Sequence, residues 1–502
     1  MRQVIVISDL HLGGTYPEPS RQGSRGFRLC TQAEAIARFI GRLADEVSVK
    51  APIELVLNGD TVDFLAERDG QAATWSAFTT DPQQAVDKFN LIVERDKPVF
   101  DALGAFLAAG GRLTILLGNH DVELSFPAVR AALRAAIGVK PSHDFEFIID
   151  GEAYVVGDAL IEHGNRYDAW NQIDYDALRR LRSLMSRGES VPLKYRFEPP
   201  AGSELVATLM NRIKQVYAFV DLLKPEDGAV VPILLALEPG FIKRAGQIAR
   251  LWYRTKSHGL EGSSLPKMGG DISASGTLHS DVLGHDIGAS PGLDPILGEL
   301  DDDAALRSVI SGALKGDANA FMAAISETPE PVSSALAGVE ISATEASIFA
   351  KETVAPQGGR LSDGRLRALL LAMRALQKAD GFDERRETAS EYLNAARSLA
   401  KNDIRYVIFG HTHQPKRVDL GGGRWYLNSG TWADVLRFPS DILSLPEQDA
   451  LPRLRQFVEQ MQSGSFSDWA LFRPTYIRLR IGDDNRVTDA ALCSGLDIEP
   501  NP

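Results

Sequence analysis

Short apolar runs, each ending on glycine and on a carboxylate, amide or imidazole, recur along the chain. Residues 4–7 (VIVI) run into Asp9 and His11, residues 54–57 (ELVL) into Asn58-Gly59-Asp60, and residues 113–117 (LTILL) into Gly118-Asn119-His120-Asp121. Further on, residues 159–161 (ALI) run into Glu162-His163-Gly164, and residues 406–409 (YVIF) into Gly410-His411-Thr412-His413. Runs of this length without polar alternation predict strands covered on both faces, and ligands of open α/β sheets bind beyond the carboxyl ends of their strands. Residues two apart in an extended segment point to the same side. The spacing therefore predicts that Asp9 with His11, and His411 with His413, each converge on one point. The glycines allow sharp turns and close backbone approach.

The other periodicities are helical. Residues 203–223 place Leu205, Leu209, Ile213, Val216 and Val220 at helical spacing, residues 365–377 do the same, and residues 383–401 put Ala389, Tyr392, Leu393, Ala396 and Leu399 on one stripe. Residues 230–237 (VVPILLAL) are too short to cross a bilayer and read as core. Residues 255–295 are dense in Gly, Ser, Asp and Pro and read as a linker or mobile loop. Near the end, residues 475–481 and 487–492 flank Gly482-Asp483-Asp484-Asn485, a hairpin pattern. No internal repeat emerges. Residues 164–410 separate two strand-end motifs, and structureless connections beyond about 15 residues are uncommon. The expected organisation is a core in two parts, residues 1–165 and 385–502, with a mainly α-helical insertion or cap over residues 166–384.

Composition narrows the classes. With 502 residues, 44% of them hydrophobic, the chain can bury at least one large core and has room for more than one domain. No leader peptide precedes the first strand pattern and no apolar run approaches the roughly 20 residues of a membrane span, so the expectation is a cytoplasmic protein without a transmembrane segment. Two cysteines, Cys30 and Cys493, argue against a disulfide framework and a thiolate metal site, leaving N and O ligands for any metal. A net charge of −13 disfavours a general nucleic-acid coat.

A single Gly-Asp after a strand marks a turn, and a single strand-end histidine is ordinarily a satisfied or solvated side chain. Here five of the nine histidines (His11, His120, His163, His411, His413) sit at such ends beside Asp9, Asp60 and Asn119, and isolated turns do not account for the conjunction. Asp9-Leu10-His11, Gly59-Asp60, Gly118-Asn119-His120-Asp121, His163-Gly164 and Gly410-His411-Thr412-His413 resemble the five signature blocks of the calcineurin-like metallophosphoesterases, in that family's order. The resemblance covers about half of the chain. It implies an α/β fold, a sandwich of two mixed β-sheets flanked by helices, with two divalent metal ions at the strand ends. One metal would take Asp9, His11, Asp60 and His413. The other would take Asp60, Asn119, His163 and His411, with Asp60 bridging. This ligand set suits Mn²⁺, Fe or Zn²⁺ without choosing among them.

The function implied is hydrolysis of a phosphomonoester, phosphodiester or pyrophosphate bond of a small phosphorylated substrate by a metal-activated hydroxide. The resemblance puts His120 toward the leaving group, as proton donor or charge stabiliser, with Asp121 either its orienting partner or a helix N-cap. Asp63 can order Asp60 or its neighbours, and residues 426–432 (YLNSGTW) look like the strand and loop that close this site in bacterial members. The protein Ser/Thr phosphatases carry Arg-Gly where this chain has Phe64-Leu65 and Glu where it has Asp121, which disfavours that activity. A looser similarity is to UDP-2,3-diacylglucosamine hydrolases, which have a smaller insertion and commonly Arg in place of His120. Basic residues cluster in the insertion. One group holds Arg179, Arg180, Arg182, Arg187, Lys194 and Arg196, and the other Lys243, Arg244, Arg250, Arg254 and Lys256. They form either a solvated face or a positive rim for an anionic substrate, with Arg179, Arg180, Arg250 and Arg254 as its substrate-binding candidates. The alternatives are a metal-dependent nuclease and a metal-binding scaffold without turnover.

Overall fold

The computed structural model describes residues 2–14, 28–70, 74–192, 196–214, 217, 219–223, 230–237, 302–326, 361–377, 382–462 and 469–496. In chain order its strands are β1 (Arg2–Ile7), β2 (Ile53–Asn58), β3 (Arg112–Leu116), β4 (Phe145–Ile148), β5 (Tyr154–Val156), β6 (Ala159–Ile161) and β7 (Tyr406–Phe409). They continue with β8 (Pro415–Gly421), β9 (Arg424–Ser429), β10 (Val435–Leu436), β11 (Ala470–Leu471), β12 (Thr475–Ile481) and β13 (Val487–Ser494). Two large mixed sheets result, one in the order β13-β12-β1-β2-β3-β4 and the other β5-β6-β7-β9-β8. Strands β1 to β4 run parallel, as do β6, β7 and β9. The expected C-terminal hairpin is present as β12–β13, and it extends the first sheet because β12 pairs antiparallel with β1.

The apolar runs that end at the motifs are buried on both faces, and the pleat divides them. Val4 and Val6 of β1, Val56 of β2 and Leu116 of β3 pack against Ala159, Ile161, Ile408 and Leu427 from the second sheet. The alternate residues Ile5, Ile7, Leu55, Leu57, Leu113 and Ile115 face helices, including Ala33–Glu46 and Lys97–Ala108. On the far side of the second sheet, Val407, Phe409, Val418 and Tyr426 are covered by Tyr392, Ala395 and Ala396 of the helix Ser390–Leu399. The molecule is an α/β sandwich of two sheets between helical layers.

A polar cluster fastens the two sheets at their other end. Buried Glu54 on β2 accepts from Thr114 Oγ1 (2.8 Å), from Arg112 Nε (3.2 Å) and, across the sandwich, from the Tyr154 hydroxyl on β5. Tyr154→Phe removes one hydrogen bond to a buried charge and should lower stability by about 1.5–3 kcal/mol in urea unfolding. An unchanged midpoint would show that the sheets do not need this link.

Every named element described within residues 166–384 is helical. The apolar segment 230–237 forms the helix Val230–Leu237 and packs in one hydrophobic cluster with Asp363–Leu376. The helices Ser440–Ser444 and Glu447–Gln462, which lie beyond the insertion in sequence, join this layer. Phe219 stacks edge-on to Phe457 at 5.1 Å, and Leu223 bridges to Leu436 on β10. Two helices differ from expectation. The helix expected over 203–223 begins at Ala201 and runs through a widened π turn, Val206–Met210, to Lys214, with a separate 3₁₀ turn at Val220–Leu222; directly after the π turn, buried Asn211 donates to the Leu65 carbonyl (2.8 Å). The helix expected over 383–401 is shortened to Ser390–Leu399. The carbonyls of Asp383, Glu384 and Arg386 accept instead from Lys416 Nζ and Arg417 N on β8, which diverts them from helical bonding. The segment 255–295 and its linker reading lie outside the described residues.

Candidate metal centre

All five motifs sit just past the carboxyl ends of β1, β2, β3, β6 and β7. Asp9 and His11 lie beyond the end of β1 at φ 55° and 45°, so extended-strand alternation does not bring them together. Asp60 (49°), His411 (68°) and His413 (58°) share this left-handed backbone. Positive φ is uncommon for non-glycine residues and gathers at functional sites. Asp9 and His11 nevertheless fall in one group of ligand atoms, whereas His411 and His413 do not converge: the turn sends them to different partners. Close approach of neighbouring loops demands glycine beneath them. A Cβ at Gly118 would fall 2.0 Å from Asp60 Oδ1, and one at Gly59 2.4 Å from His163 Nδ1.

Two groups of ligand atoms result, each within 4.8 Å: Asp9, His11 and His413, and Asp60, His163 and His411. In the first, His413 Nε2 is 3.3 Å from Asp9 Oδ1 and 3.0 Å from His11 Nε2. In the second, His163 Nε2 is 3.2 Å from Asp60 Oδ2, and that same oxygen is 3.7 Å from His11 Nε2, which places Asp60 between the groups. His11, Asp60 and His120 form a third group sharing two of these members. The Oδ1 of Asn119 is buried and accepts no hydrogen bond.

Partners outside the cluster decide which atom of each side chain faces it. The Asp9 Oδ2 accepts from His411 N (3.0 Å) and the Ser8 hydroxyl, leaving Oδ1 inward. Asp60 Oδ1 accepts from His120 N (2.8 Å). The His163 Nδ1 donates to the Asn58 carbonyl (2.7 Å) and His11 Nδ1 lies 3.4 Å from Asp63 Oδ2, so in both rings Nε2 faces the cluster. For His411 the roles reverse, because its Nε2 lies 3.1 Å from Asp168 Oδ2. Such outer hydrogen bonds set tautomer and ring orientation in metal sites.

The electrostatics follow from burial and opposed charge. Burial raises the Asp9 carboxyl, but His413 and His163 overcome it and bring it down to about 2. Burial is likewise outweighed at Asp60, where His163, His120 and His11 hold the carboxyl well below its usual range. Burial lowers His163, yet Asp60 and Asp9 bring it up to about 10. These carboxylates stay ionised in an interior where an unpaired charge is costly, a field built to hold positive charge. Two histidine nitrogens 3.0 Å apart, an Asn oxygen without a partner and the two buried carboxylates Asp9 and Asp60 fit divalent cations held by N and O atoms.

Compared with models of known protein families and with curated proteins, the chain matches none.

His120 is set apart from the other buried imidazoles. Its side chain is 18% exposed, and its Nδ1 lies 3.1 Å from Asp63 Oδ1, leaving Nε2 as the outward nitrogen. Against burial, Asp63 and then Asp60 bring its pKa up to about 9, while Lys214 opposes them. The orienting carboxylate is therefore Asp63. Asp121 fills neither expected role: its Oδ1 and Oδ2 accept from Gly118 N (2.7 Å) and Thr61 N (2.8 Å), tying two motif loops together, and it makes no side-chain N-cap bond. Burial, then Asp60, pushes it up to about 7. In residues 426–432, Asn428 donates to the Gly410 carbonyl (2.7 Å) and the Thr431 hydroxyl to the Asp9 carbonyl (2.7 Å), so this segment braces the loops of both sheets.

Arg179 and Arg180 are exposed on the helix Tyr175–Met185, with Arg179 3.7 Å from Asp176, while Arg182 on the same helix is buried and donates to the Ile149 carbonyl. Arg250, Arg254 and the second basic group lie outside the described residues, as does Lys194. The insertion reaches the centre through other residues. Asn211 docks on Leu65, Ala207 packs with Ala66 and Trp75, and Lys214, on the same short helix as Asn211, is the buried cation acting on His120. Sequence reading missed Lys214, Ser8, Asp168 and Asn171. Only the Ser8-Asp9 adjacency carried a local signal. Among the described residues no helix is long and apolar enough to cross a membrane.

Proposed function

We propose that the chain is a calcineurin-like metallophosphoesterase, a phosphoric ester hydrolase dependent on two divalent metal ions. What carries the reading is the shared carboxylate: Asp60 Oδ2 lies between His163 Nε2 and His11 Nε2, so one residue belongs to two groups of ligand atoms. Asp9, His11, Asp60 and His413 would hold one cation, and Asp60, Asn119, His163 and His411 the other. Bound there, the cations would neutralise phosphoryl oxygens and make a nucleophile from water at neutral pH.

The chain's own residues supply the remainder. Asp63 holds His120 through Nδ1 and leaves Nε2 free to donate a proton to the leaving oxygen. An imidazole with a pKa near 9 carries that proton at neutral pH. Lys214 adds positive charge on the same side, where an anionic substrate would gain from it. The buried ligands keep the reacting region away from bulk water, while His120 and His411, partly exposed, mark its open edge.

Hydrolysis of p-nitrophenyl phosphate and bis-p-nitrophenyl phosphate in Mn²⁺, with and without EDTA, tests this. Turnover of at least one ester, abolished by chelation and restored by Mn²⁺, is expected, and the ratio of the two rates separates monoesterase from diesterase. Neither ester turning over at any Mn²⁺ concentration would leave the scaffold reading in its place.

A further inference from the structure

We infer that Asp168 and Asn171 are positioning residues for one of the two cation positions, the one served by Asn119, His163 and His411; the inference rests on the two-cation reading above. These two residues lie on the loop that follows His163, and they reach the two members of that group that come from distant strands. Asp168 Oδ2 lies 3.1 Å from His411 Nε2, which commits that nitrogen and leaves Nδ1 as the ring atom available toward Asp60 and His163. Asn171 Oδ1 accepts from Asn119 Nδ2 (3.3 Å), which turns the buried, unpartnered Oδ1 of Asn119 the other way.

The pair is itself held firmly. Asp168 Oδ1 accepts from Trp170 N (2.9 Å), and Asp168 Oδ2 accepts from Asn171 Nδ2 (2.6 Å), so the carboxylate and the amide fix each other. The Asn171 carbonyl accepts from Asn165 Nδ2 (2.8 Å). Gly202 N donates to the Trp170 carbonyl (2.8 Å), and a Cβ at Gly202 would fall 2.3 Å from Asn171 Oδ1, so the helix Ala201–Leu205 is packed directly on the clamp. The other position has different support. Asp9 is held by Ser8 and the His411 backbone, and His11 by Asp63. The two positions therefore depend on separate outer residues, and one can be weakened without the other.

The test is Mn²⁺ titration of the full chain by calorimetry, with metal content after desalting and the spin-coupled dimanganese signal as parallel readouts. Wild type should bind two ions. Asp168→Ala should retain one and bind the second about 10–100-fold more weakly, with loss of the coupled signal, as removal of outer carboxylates does in other metal sites. Asn171→Ala should weaken the same position by less, and Asp168→Asn, which can still accept from Nε2–H, should fall between wild type and Ala. Thermal unfolding of the metal-free variants should match wild type, since a merely structural role would move it. If the Ala variant fails to fold, the Asn variant decides. Variants that bind both ions as wild type does overturn the inference and leave the two-cation reading standing, whereas wild type binding fewer than two overturns both.

Discussion

Asp60→Ala is expected to empty both cation positions and reduce hydrolysis to background. Its Oδ2 is the oxygen placed between His163 Nε2 and His11 Nε2, at 3.2 and 3.7 Å, so it faces a member of each group. Its Oδ1 holds His120 N at 2.8 Å, and removing it also releases the loop that carries Asn119 and His120. Cutting the shared carboxylate leaves His163 Nε2 without its nearest carboxylate oxygen. Asp60→Asn separates charge from shape: it keeps an acceptor for His120 N and should still lose at least one ion. The measurement is metal per chain by elemental analysis after Mn²⁺ loading and desalting, beside circular dichroism to show that the sandwich is intact. A folded Asp60→Ala protein holding two ions per chain and hydrolysing ester at the wild-type rate would remove the shared-ligand assignment.

His120→Ala should cut turnover by roughly 10²–10⁴, the usual worth of general acid–base catalysis, while leaving metal content near two per chain. The separation is expected because the backbone of residue 120, not its ring, makes the structural contacts: its N–H binds Asp60 Oδ1 and its carbonyl accepts from Phe64 N (3.1 Å). The ring meets Asp63 and is the most exposed imidazole of the cluster. A proton donor matters most when the leaving alcohol is a strong base, so esters with acidic leaving groups should be hurt less. Asp63→Asn should lower the pKa of His120 by removing its nearest negative charge, and so shift the fall in activity on the alkaline side to lower pH. Equal losses across a series of leaving groups would assign His120 to substrate binding instead.

What could be read along the chain alone was whatever depends on neighbours in sequence. Unbroken runs such as 4–7 and 406–409 have to be buried on both faces, and the strands they form lie in the interior of two sheets. The residue types that follow them are set by covalent adjacency, so Asp9, His11, Asp60, Asn119, His163, His411 and His413 were visible as one set before any fold was known. Their joint placement at the carboxyl ends follows from the parallel pairing of β1, β2 and β3 and of β6 and β7. The rest depended on contacts between residues far apart in the chain. Left-handed backbone at five of these residues replaces the strand alternation that spacing implies, because loops from two sheets press together and leave room for little but glycine between them. Which nitrogen His11, His120, His163 and His411 present is decided by Asp63, by the Asn58 carbonyl and by Asp168, none of them recognisable as a partner from spacing. The helix expected over 203–223 widens into a π turn just before Asn211 meets Leu65, and the one expected over 383–401 loses its first turns to Lys416 and Arg417. Asp121 and Asp63 exchange the roles that their positions suggest. A carboxylate's function is set by the donors that surround it, and at this centre those donors come from loops that only the closed sandwich brings together.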